Sequence, residues 1–206
     1  MKEVSKNLQK VFRKRHENKM STPPTSASSC AALSNTFALG AGCYWGTEKY
    51  IKKNFQAMHP NSIKHATVGF MSPDPNAMKN PSYRQVCSGT TGHVEVLNVE
   101  LADEASNEKI FEELVRFFFQ FHDPTTLNRQ GNDTGTQYAS VIFTTDETQE
   151  KIANKVINEL QALIDARKVT AYSNKKISTL VTKANTYYEA HEEHQEYLAN
   201  NPFGYW

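Results

Sequence analysis

One cysteine lies in a setting that favours a reactive thiol. Cys43 stands in the stretch GAGCYWGTEKY, among three glycines and directly before Tyr44 and Trp45. The pattern predicts a strand that ends before Cys43 and a helix that follows it, and the unpaired N–H groups at a helix start favour the thiolate. The glycines would let a substrate approach closely, and the two rings would form an apolar wall beside the sulfur. These features predict a nucleophile; the alternative is a buried, inert cysteine in a strand-to-helix turn.

Glu95 is the second group that could do chemistry. It stands in GHVEVLNVEL, residues 92–101, whose alternation predicts a strand. On the alternation alone, a glutamate between Val94 and Val96 is predicted to face solvent. If the side chain is buried instead, its pKa should rise and the carboxyl group should stay protonated, which would make it a general acid.

The hydrophobic pattern also predicts the elements that would position these groups. Ser106 is the expected N-cap of the second of four helices, and residues 71–83, which contain three prolines, are predicted to be a loop. Because strands and helices interleave, the predicted fold class is α+β: a two-layer sandwich of a small mixed or antiparallel sheet and flanking helices, with a ferredoxin-like core. Strands are predicted over 35–42, 63–70, 92–101, 138–145 and near 176–182, and helices from Thr47 and over 106–121, 146–166 and 184–199.

The distribution of charge divides the chain into two parts. Residues 1–20 hold seven Lys or Arg and two Glu, and residues 21–34 are uncharged and rich in Ser, Pro and Ala. We expect residues 1–34 to be a disordered extension and residues 35–206 to form one domain. The basic segment resembles a mitochondrial presequence, but its two glutamates fit that pattern poorly. We therefore expect a cytoplasmic protein, with mitochondria as the alternative.

The overall composition argues against several function classes. The net charge is +1, which is unlike a general nucleic-acid binder. No apolar run reaches membrane-spanning length, so we expect a soluble chain that needs no membrane. The three cysteines include no CxxC pair, which argues against a disulfide framework or a zinc ribbon and fits a reducing compartment. Phosphate-binding glycine loops are absent, and we expect no cofactor.

A pair of histidines near the C-terminus is the remaining motif. His191 and His194 flank two glutamates as H-E-E-H, which is not the H-E-x-x-H spacing of zinc proteases. No third ligand is evident, so we expect no metal site. We interpret the pair as one face of the helix predicted over 184–199, packed near the site together with Tyr187 and Tyr197.

Four blocks of the sequence resemble a known family in matching order. GCYWGTE is similar to the G-C-F-W-G-x-E signature of the peptide methionine sulfoxide reductase A family, and residues 80–96, 117–140 and 187–206 resemble its later blocks. The similarity covers residues 36 to 206. It implies a thiol-dependent reductase of methionine S-sulfoxide, free or in proteins, that repairs oxidised proteins.

The resemblance also implies roles for the two chemical groups. Methionine sulfoxide has an electrophilic sulfur and a poor leaving oxygen, so a thiolate must attack the sulfur while the oxygen is protonated. Cys43 matches the family's nucleophile and would become a sulfenic acid. Glu95 matches its acid, and the family position reverses the prediction that this carboxyl group faces solvent.

Five further residues match positions that hold the substrate in the family. Tyr44 and Trp45 would form the pocket for the S-methyl group, although Tyr44 replaces the commoner Phe. Tyr83 and Tyr138 would donate O–H bonds to the sulfoxide oxygen. Asp133 would help to place the substrate or an active-site water. On residue type alone, packing is the more common role for either tyrosine.

The regeneration of Cys43 departs from the family pattern. Members often carry a resolving cysteine after the motif that resembles NPFGY, whereas no cysteine follows Cys87 here. Cys87 and Cys30 are candidates, but Cys30 could return to Cys43 only through a nearly extended chain, and burial is the simpler expectation for Cys87. We therefore expect an external thiol, thioredoxin or glutathione with glutaredoxin, to reduce a monomeric enzyme.

Two other functions remain open at the level of sequence. The chain could bind oxidised methionine without turnover, because no resolving cysteine stands at the usual place. It could also be a thiol peroxidase or a redox sensor that reacts with peroxide. The predicted methyl pocket argues against the second, since peroxide needs no such pocket.

Overall fold

The computed structural model describes residues 33–103 and 108–202. The predicted N-terminal extension therefore lies outside the described residues except for its last two positions. Cys30 and Ser106 also lie outside the described residues. Within the described ranges, no helix is long and apolar enough to cross a membrane.

A six-stranded sheet forms the centre of the molecule. Every neighbouring pair is antiparallel except β6 and β7, which are the two strands over 140–144 and 180–183. A separate small hairpin joins β4 (Arg129–Gln130) to β5 (Asp133–Thr134). The sheet strands are β1 (Thr36–Ala41), β2 (Ile63–Met71), β3 (Val94–Leu101), β6 (Ser140–Thr144), β7 (Leu180–Lys183) and β8 (Tyr188–Glu189), in the order β7-β6-β1-β3-β2-β8.

The four central strands have the connectivity of a ferredoxin-like core. They lie in the order β6-β1-β3-β2, all antiparallel, and helices connect β1 to β2 and β3 to β6. The predicted fold class is thereby confirmed, and the five predicted strands are all present. The helices are α1 (Tyr44–Lys49), α2 (Gln56–Met58), α3 (Tyr83–Cys87), α4 (Glu108–Phe121), α5 (Glu147–Asp165) and α6 (Tyr197–Asn200), with a π-helical segment at Tyr50–Phe55 and 3-10 turns at Thr136–Tyr138 and Glu192–His194.

The main hydrophobic core lies between one face of the sheet and the helices. Leu97 and Val99 of β3 belong to the same buried cluster as Phe118 of α4. Val96 and Phe143 belong to a smaller cluster on the opposite face. Because successive side chains of a strand alternate between faces, the β3 residues 95, 97 and 99 all point toward the helices. This alternation decides where Glu95 lies.

Two predictions about helices need correction. The first helix begins at Tyr44, three residues before Thr47, because it starts directly after the glycine turn. The helix predicted over 184–199 is wrong. That segment contains strand β8, a 3-10 turn and the four-residue helix α6. Its helical spacing was misleading because its side chains are fixed by bonds to distant parts of the chain.

Candidate active site

The turn between β1 and α1 holds Cys43 at the end of the central strand. Cys43 is the N-cap residue of α1, as the pattern predicts. Gly42 has a φ of 84°, in the left-handed region that favours glycine. A Cβ there would lie 2.5 Å from Cβ of Gln130, and a Cβ at Gly40 would lie 2.8 Å from a side-chain carbon of Val94. These two glycines thus make room for the protein's own side chains, which corrects the prediction that they admit substrate.

The thiol of Cys43 is partly buried and protonated in the free enzyme. Burial, and then the nearby carboxyl group of Glu95, raise the pKa of Cys43 to about 12. The backbone N–H groups of Trp45 and Gly46 act in the opposite direction, but more weakly. The predicted thiolate is therefore wrong for the resting site, because burial of the sulfur outweighs the start of a helix only six residues long.

Glu95 is a buried acid directly beneath this turn. Its side chain is on the helix-covered face of β3 and only 2% exposed, so the prediction from alternation alone, that it faces solvent, is wrong. One carboxylate oxygen, Oε2, accepts the backbone N–H of Tyr44 at 3.1 Å. Burial raises the pKa of Glu95 to about 8 against the lowering effect of that hydrogen bond. The carboxyl group is therefore protonated at neutral pH.

Three predicted substrate residues lie within electrostatic range of the same acid or thiol. Tyr138 ends a 3-10 turn, and burial followed by the charge of Glu95 raises its pKa to about 12. Asp133 is exposed on β5, and its charge adds to the rise in the pKa of both Glu95 and Cys43. Tyr83 begins α3, and burial raises its pKa. The structure thus brings Cys43, Glu95 and these three residues into one site.

Tyr44 and Trp45 differ in how they take part in the site. Trp45 is half-buried and its indole is parallel to the ring of Tyr197, with centroids 3.9 Å apart. Tyr44 is only 1% exposed and its ring packs against Phe70 at 5.9 Å. Its hydroxyl group has no hydrogen-bond partner among the described residues. Tyr44 therefore supports the site from beneath instead of forming an open wall, which corrects the expectation for this residue.

Cys87 lies at the end of α3, close to the site tyrosines. Its thiol is free and half-buried. The hydroxyl group of Tyr83 acts on it as a hydrogen-bond donor, and the charge of Glu95 reaches it as well. Burial is the larger influence and raises the pKa of Cys87. The other candidate resolving thiol, Cys30, lies outside the described residues.

Two residues of the C-terminal segment, predicted only to pack near the site, contact its aromatic side chains. The ring of His194 lies 4.5 Å from that of Tyr83 and 5.9 Å from that of Tyr44. The ring of Tyr197 covers the indole of Trp45. The H-E-E-H motif pointed to the segment, and its interpretation as a packed face near the site is correct for His194 and Tyr197, although the segment is not a helix. Among the described residues, no group of three His, Cys, Asp or Glu is arranged to hold a metal ion.

Comparison with known proteins places this geometry in one family. Residues 35–206 match the family described as peptide methionine sulfoxide reductase. The chain belongs to that family. It is 43% identical over 166 residues to the peptide methionine sulfoxide reductase MsrA of Mycoplasma genitalium, which covers 81% of this chain and 92% of that protein.

Two solved structures share the fold as well as the sequence of this reductase family. The reduced form of Mxr1 from Saccharomyces cerevisiae is 33% identical with a TM-score of 0.69, covering 87% of this chain and 92% of that one. Methionine sulfoxide reductase A of Corynebacterium diphtheriae is 34% identical with a TM-score of 0.67, covering 86% and 79%. Both therefore resemble the chain over most of its described length.

The site holds the groups that a member of the peptide methionine sulfoxide reductase family needs for its reaction. A protonated carboxyl group and a thiol lie on either side of one backbone turn, and both are largely shielded from water. Two phenols lie nearby, and burial keeps both in the protonated form that can donate a hydrogen bond. Such a site can protonate a polar oxygen while a sulfur attacks the atom that carries it.

Proposed function

We propose that this protein reduces the S epimer of methionine sulfoxide, free or in proteins, through a sulfenic acid at Cys43. Membership of the family makes the chain an oxidoreductase that acts on methionine sulfoxide and repairs oxidised proteins. The observation that carries the finer proposal is the buried, protonated carboxyl group of Glu95, hydrogen-bonded to the residue after Cys43. The family resemblance supports the S epimer, since different enzymes reduce the two epimers.

The proposed reaction moves one oxygen atom off the substrate sulfur. Glu95 donates its proton to the sulfoxide oxygen while the sulfur of Cys43 attacks the substrate sulfur and forms an S–S bond. The S–O bond breaks, and the oxygen leaves as water with the Glu95 proton and the former thiol proton. A water molecule then attacks the Cys43 sulfur and the S–S bond breaks. Methionine leaves, Cys43 carries a sulfenic acid, and the released proton returns to Glu95.

The high pKa of Cys43 fits this sequence of events. In the free enzyme the burial of the sulfur keeps the thiol protonated, and any ionisation of Glu95 would raise the pKa of Cys43 further. When Glu95 gives its proton to the sulfoxide oxygen, the substrate sulfur becomes more positive and the oxygen becomes a better leaving group, so the attack no longer needs a preformed thiolate. The thiol loses its proton as its sulfur bonds to the substrate. The site therefore reacts with a bound sulfoxide and is a weak nucleophile without one.

The remaining site residues are proposed to orient the substrate. The hydroxyl groups of Tyr83 and Tyr138 would donate hydrogen bonds to the sulfoxide oxygen, since burial keeps both phenols protonated. Trp45 would contact the S-methyl group, with Tyr44 as the support beneath it. Asp133, exposed on β5 near Cys43, would hold a polar group of the substrate or a water molecule.

A separate reaction must return Cys43 to the thiol. One external thiol displaces water from the sulfenic acid and forms a mixed disulfide, and a second thiol then releases Cys43. We propose thioredoxin, or glutathione with glutaredoxin, as the source of these thiols. Cys87 is the intramolecular alternative, because it lies beside the same tyrosines as Cys43. Cys30 is a second alternative.

A turnover assay with both epimers tests the proposed function. With dithiothreitol, the wild-type protein should reduce the S epimer of methionine sulfoxide and leave the R epimer, and Cys43→Ser should have no activity. Without a reductant, one equivalent of substrate should remove one thiol and leave a sulfenic acid. Loss of two thiols would replace the external route by a disulfide, which mass spectrometry would assign to Cys87 or Cys30.

Two results would contradict the proposed reductase activity, and each would favour a different function. If the wild type binds the sulfoxide but never reduces it, the protein is a binder of oxidised methionine. If it consumes peroxide at least as fast as the sulfoxide, it is a thiol peroxidase or a redox sensor.

We also propose that the protein acts in the cytoplasm, with mitochondria as the alternative destination. The basic character of residues 1–20 is what supports the alternative. A fluorescent fusion of the full chain, compared with one lacking residues 1–34, would distinguish the two locations.

A further inference from the structure

A short C-terminal segment is held against α1 and strand β2 by a contact from each of its residues. We call residues 194–197 the C-terminal wall. Gln195 accepts the backbone N–H of Val68 at 2.8 Å and donates to the carbonyl oxygen of the same residue at 2.9 Å. These bonds imitate a strand partner for β2 where β8 has ended. They fix the position of the C-terminal wall along strand β2.

The next residue of the wall is fixed by a buried carboxyl group of α1. Glu48 is 3% exposed, and its Oε2 accepts the backbone N–H of Glu196 at 2.9 Å. Glu196 has a φ of 52°, a left-handed conformation that costs energy for a residue other than glycine. Lys52 forms ion pairs with both carboxylates, the pair with Glu48 at 3.7 Å. The hydrogen bond to Glu48 therefore holds the chain in a conformation that it would otherwise leave.

This strained residue aims the aromatic side chains on either side of it. Tyr197, the next residue, stacks on the indole of Trp45 with 14° between the ring planes. His194, two residues earlier, lies 6.0 Å from the same indole at 20°. Trp45 is thus oriented by two rings of the wall, and Glu196, which lies between those two residues in the chain, is held by the carboxyl group of Glu48.

Burial of the Glu48 carboxyl group is unfavourable, so an interaction that only a polar group can make should compensate for it. Burial raises the pKa of Glu48, opposed by the Glu196 N–H and by Lys52. Removing a carboxyl group from water costs several kcal/mol unless it is well paired, and an apolar residue would fill the same volume at lower cost. The hydrogen bond across to the wall is what an apolar residue could not provide.

We propose that Glu48 is a positioning residue for substrate binding, which acts through the C-terminal wall to hold the Trp45 indole in place. The inference rests on the proposed function, because it takes Trp45 as the contact for the S-methyl group. Glu48 does not touch the reacting atoms. It should therefore govern how tightly the sulfoxide binds and have little influence on the chemical step.

Substitutions that keep or remove the acceptor oxygen test this role. Glu48→Ala should raise KM for methionine sulfoxide about tenfold and leave kcat within about twofold, since one buried hydrogen bond is lost. Glu48→Gln keeps an oxygen at the same reach and should restore KM to within about threefold of the wild type. Lys52→Ala removes an ion pair with Glu48 but leaves the hydrogen bond from the Glu196 N–H to Glu48 in place, so it should raise KM less than Glu48→Ala does.

A double substitution shows whether Glu48 acts through the wall. Tyr197→Ala should raise KM as Glu48→Ala does, and the two together should raise it no further. Tyr197→Phe keeps the ring and should therefore raise KM less than Tyr197→Ala does. If Glu48→Ala does not fold, Glu48→Asp, which shortens the side chain, takes its place in the same comparison. Additive effects, or a loss of kcat with KM unchanged, would overturn the proposal.

A fluorescence measurement separates this inference from the proposed function. In a Trp206→Phe background Trp45 is the only tryptophan left of two, and its emission reports its stacking on Tyr197 without any turnover. Glu48→Ala should shift that emission toward the exposed form, whereas Glu48→Gln should not. If Glu48→Ala shifts the emission but the wild type reduces no sulfoxide, the proposed function is rejected, whereas the role of Glu48 in holding the Trp45 indole is kept. Unchanged emission and KM in an active Glu48→Ala enzyme would reject the positioning role alone.

Discussion

The two sides of the site are built in different ways. The sulfur side, with Cys43 and Glu95, lies on the turn after β1 and on β3, which pair directly in the centre of the sheet. The opposite side is the C-terminal wall, which follows the two-residue strand β8 and ends at the first residue of the four-residue helix α6. Regular backbone hydrogen bonds hold the first. Individual side chains hold the second.

This difference explains why the two sides respond to change differently. Glu48 and Glu196 are 148 residues apart in the chain, and Val68 and Gln195 are 127 apart. Each such bond closes a long loop and stands nearly alone, so little else replaces it when it is lost. On the sulfur side, neighbouring ladder bonds of β1 and β3 keep the backbone in place when one side chain changes. We therefore expect substitutions on the sulfur side to reduce the rate of the chemical step. Substitutions that affect the C-terminal wall should instead weaken substrate binding or lower stability.

The largest expected effect is the loss of the acid on the sulfur side. Glu95→Gln keeps the shape and an acceptor for the Tyr44 N–H but has no proton to give, so kcat should fall by about 10²–10⁴-fold while the protein stays folded. Single-turnover kinetics with methionine sulfoxide measure this directly.

A glutamate on the same strand supplies the matched control. Glu100 of β3 is paired with Lys64 at the surface, far from Cys43 along the strand, and Glu100→Gln should leave kcat unchanged. Equal activity of Glu95→Gln and the wild type would show that the acid comes from elsewhere.

The next effect is the dependence of activity on pH. The proton-donating form of Glu95 is lost above its pKa of about 8, whereas the Cys43 thiol keeps its proton until about 12. The value of kcat/KM should therefore fall about tenfold per pH unit above pH 8, as expected for a single essential acid. A rate that rises through this range would indicate that thiolate formation is limiting instead.

The raised pKa of Glu95 should also make the stability of the protein fall as the pH rises. The folded pKa of Glu95 lies above the ordinary value of 4.5, so its contribution to the free energy of unfolding is complete below pH 4.5 and is lost as the pH rises toward 8. Glu95→Gln should remove that slope, which denaturant unfolding at several pH values would measure.

The comparison also shows what a sequence can and cannot disclose. The positions of the strands along the chain and the position of Cys43 follow from local alternation and from a glycine turn, which are visible within a few residues. The burial of Glu95 is not visible in this way, because both of its neighbours are also buried and β3 has no solvent face. Only the similarity to the family predicted it correctly.

The C-terminal wall and the protonation of Cys43 could not be predicted from the sequence, because both depend on tertiary contacts. Residues 184–199 have helical spacing, but Gln195 and Glu196 are bound to β2 and α1, and the tertiary contacts override the local preference. The start of a helix favours a thiolate at Cys43, yet burial decides the outcome. Burial depends on the whole fold, so no window of sequence around Cys43 contains it.

A smaller effect is expected when the wall loses its bond to the sheet edge. Gln195→Ala leaves the N–H of Val68 without its partner, whereas the Val68 carbonyl group keeps the N–H of Ala190, and the loss should lower the free energy of unfolding by about 1–3 kcal/mol. Denaturant unfolding would measure the loss. Asn158→Ala, on the exposed face of α5, should change it by less than about 0.5 kcal/mol. A Gln195 variant as stable as the wild type would show that the wall is held by its other contacts.

The smallest effect concerns a residue that lies between the two sides. The hydroxyl group of Tyr44 is buried without a partner among the described residues, so Tyr44→Phe should keep activity and stabilise the fold by about 1 kcal/mol. Tyr187→Phe is the matched control, since its hydroxyl group donates to the carbonyl oxygen of Thr67 at 3.0 Å and its loss should destabilise by about the same amount. Thermal unfolding of both variants measures the two opposite shifts. If Tyr44→Phe instead lowers kcat, the hydroxyl group serves the substrate, and Tyr44 belongs to the sulfur side and is not a support beneath it.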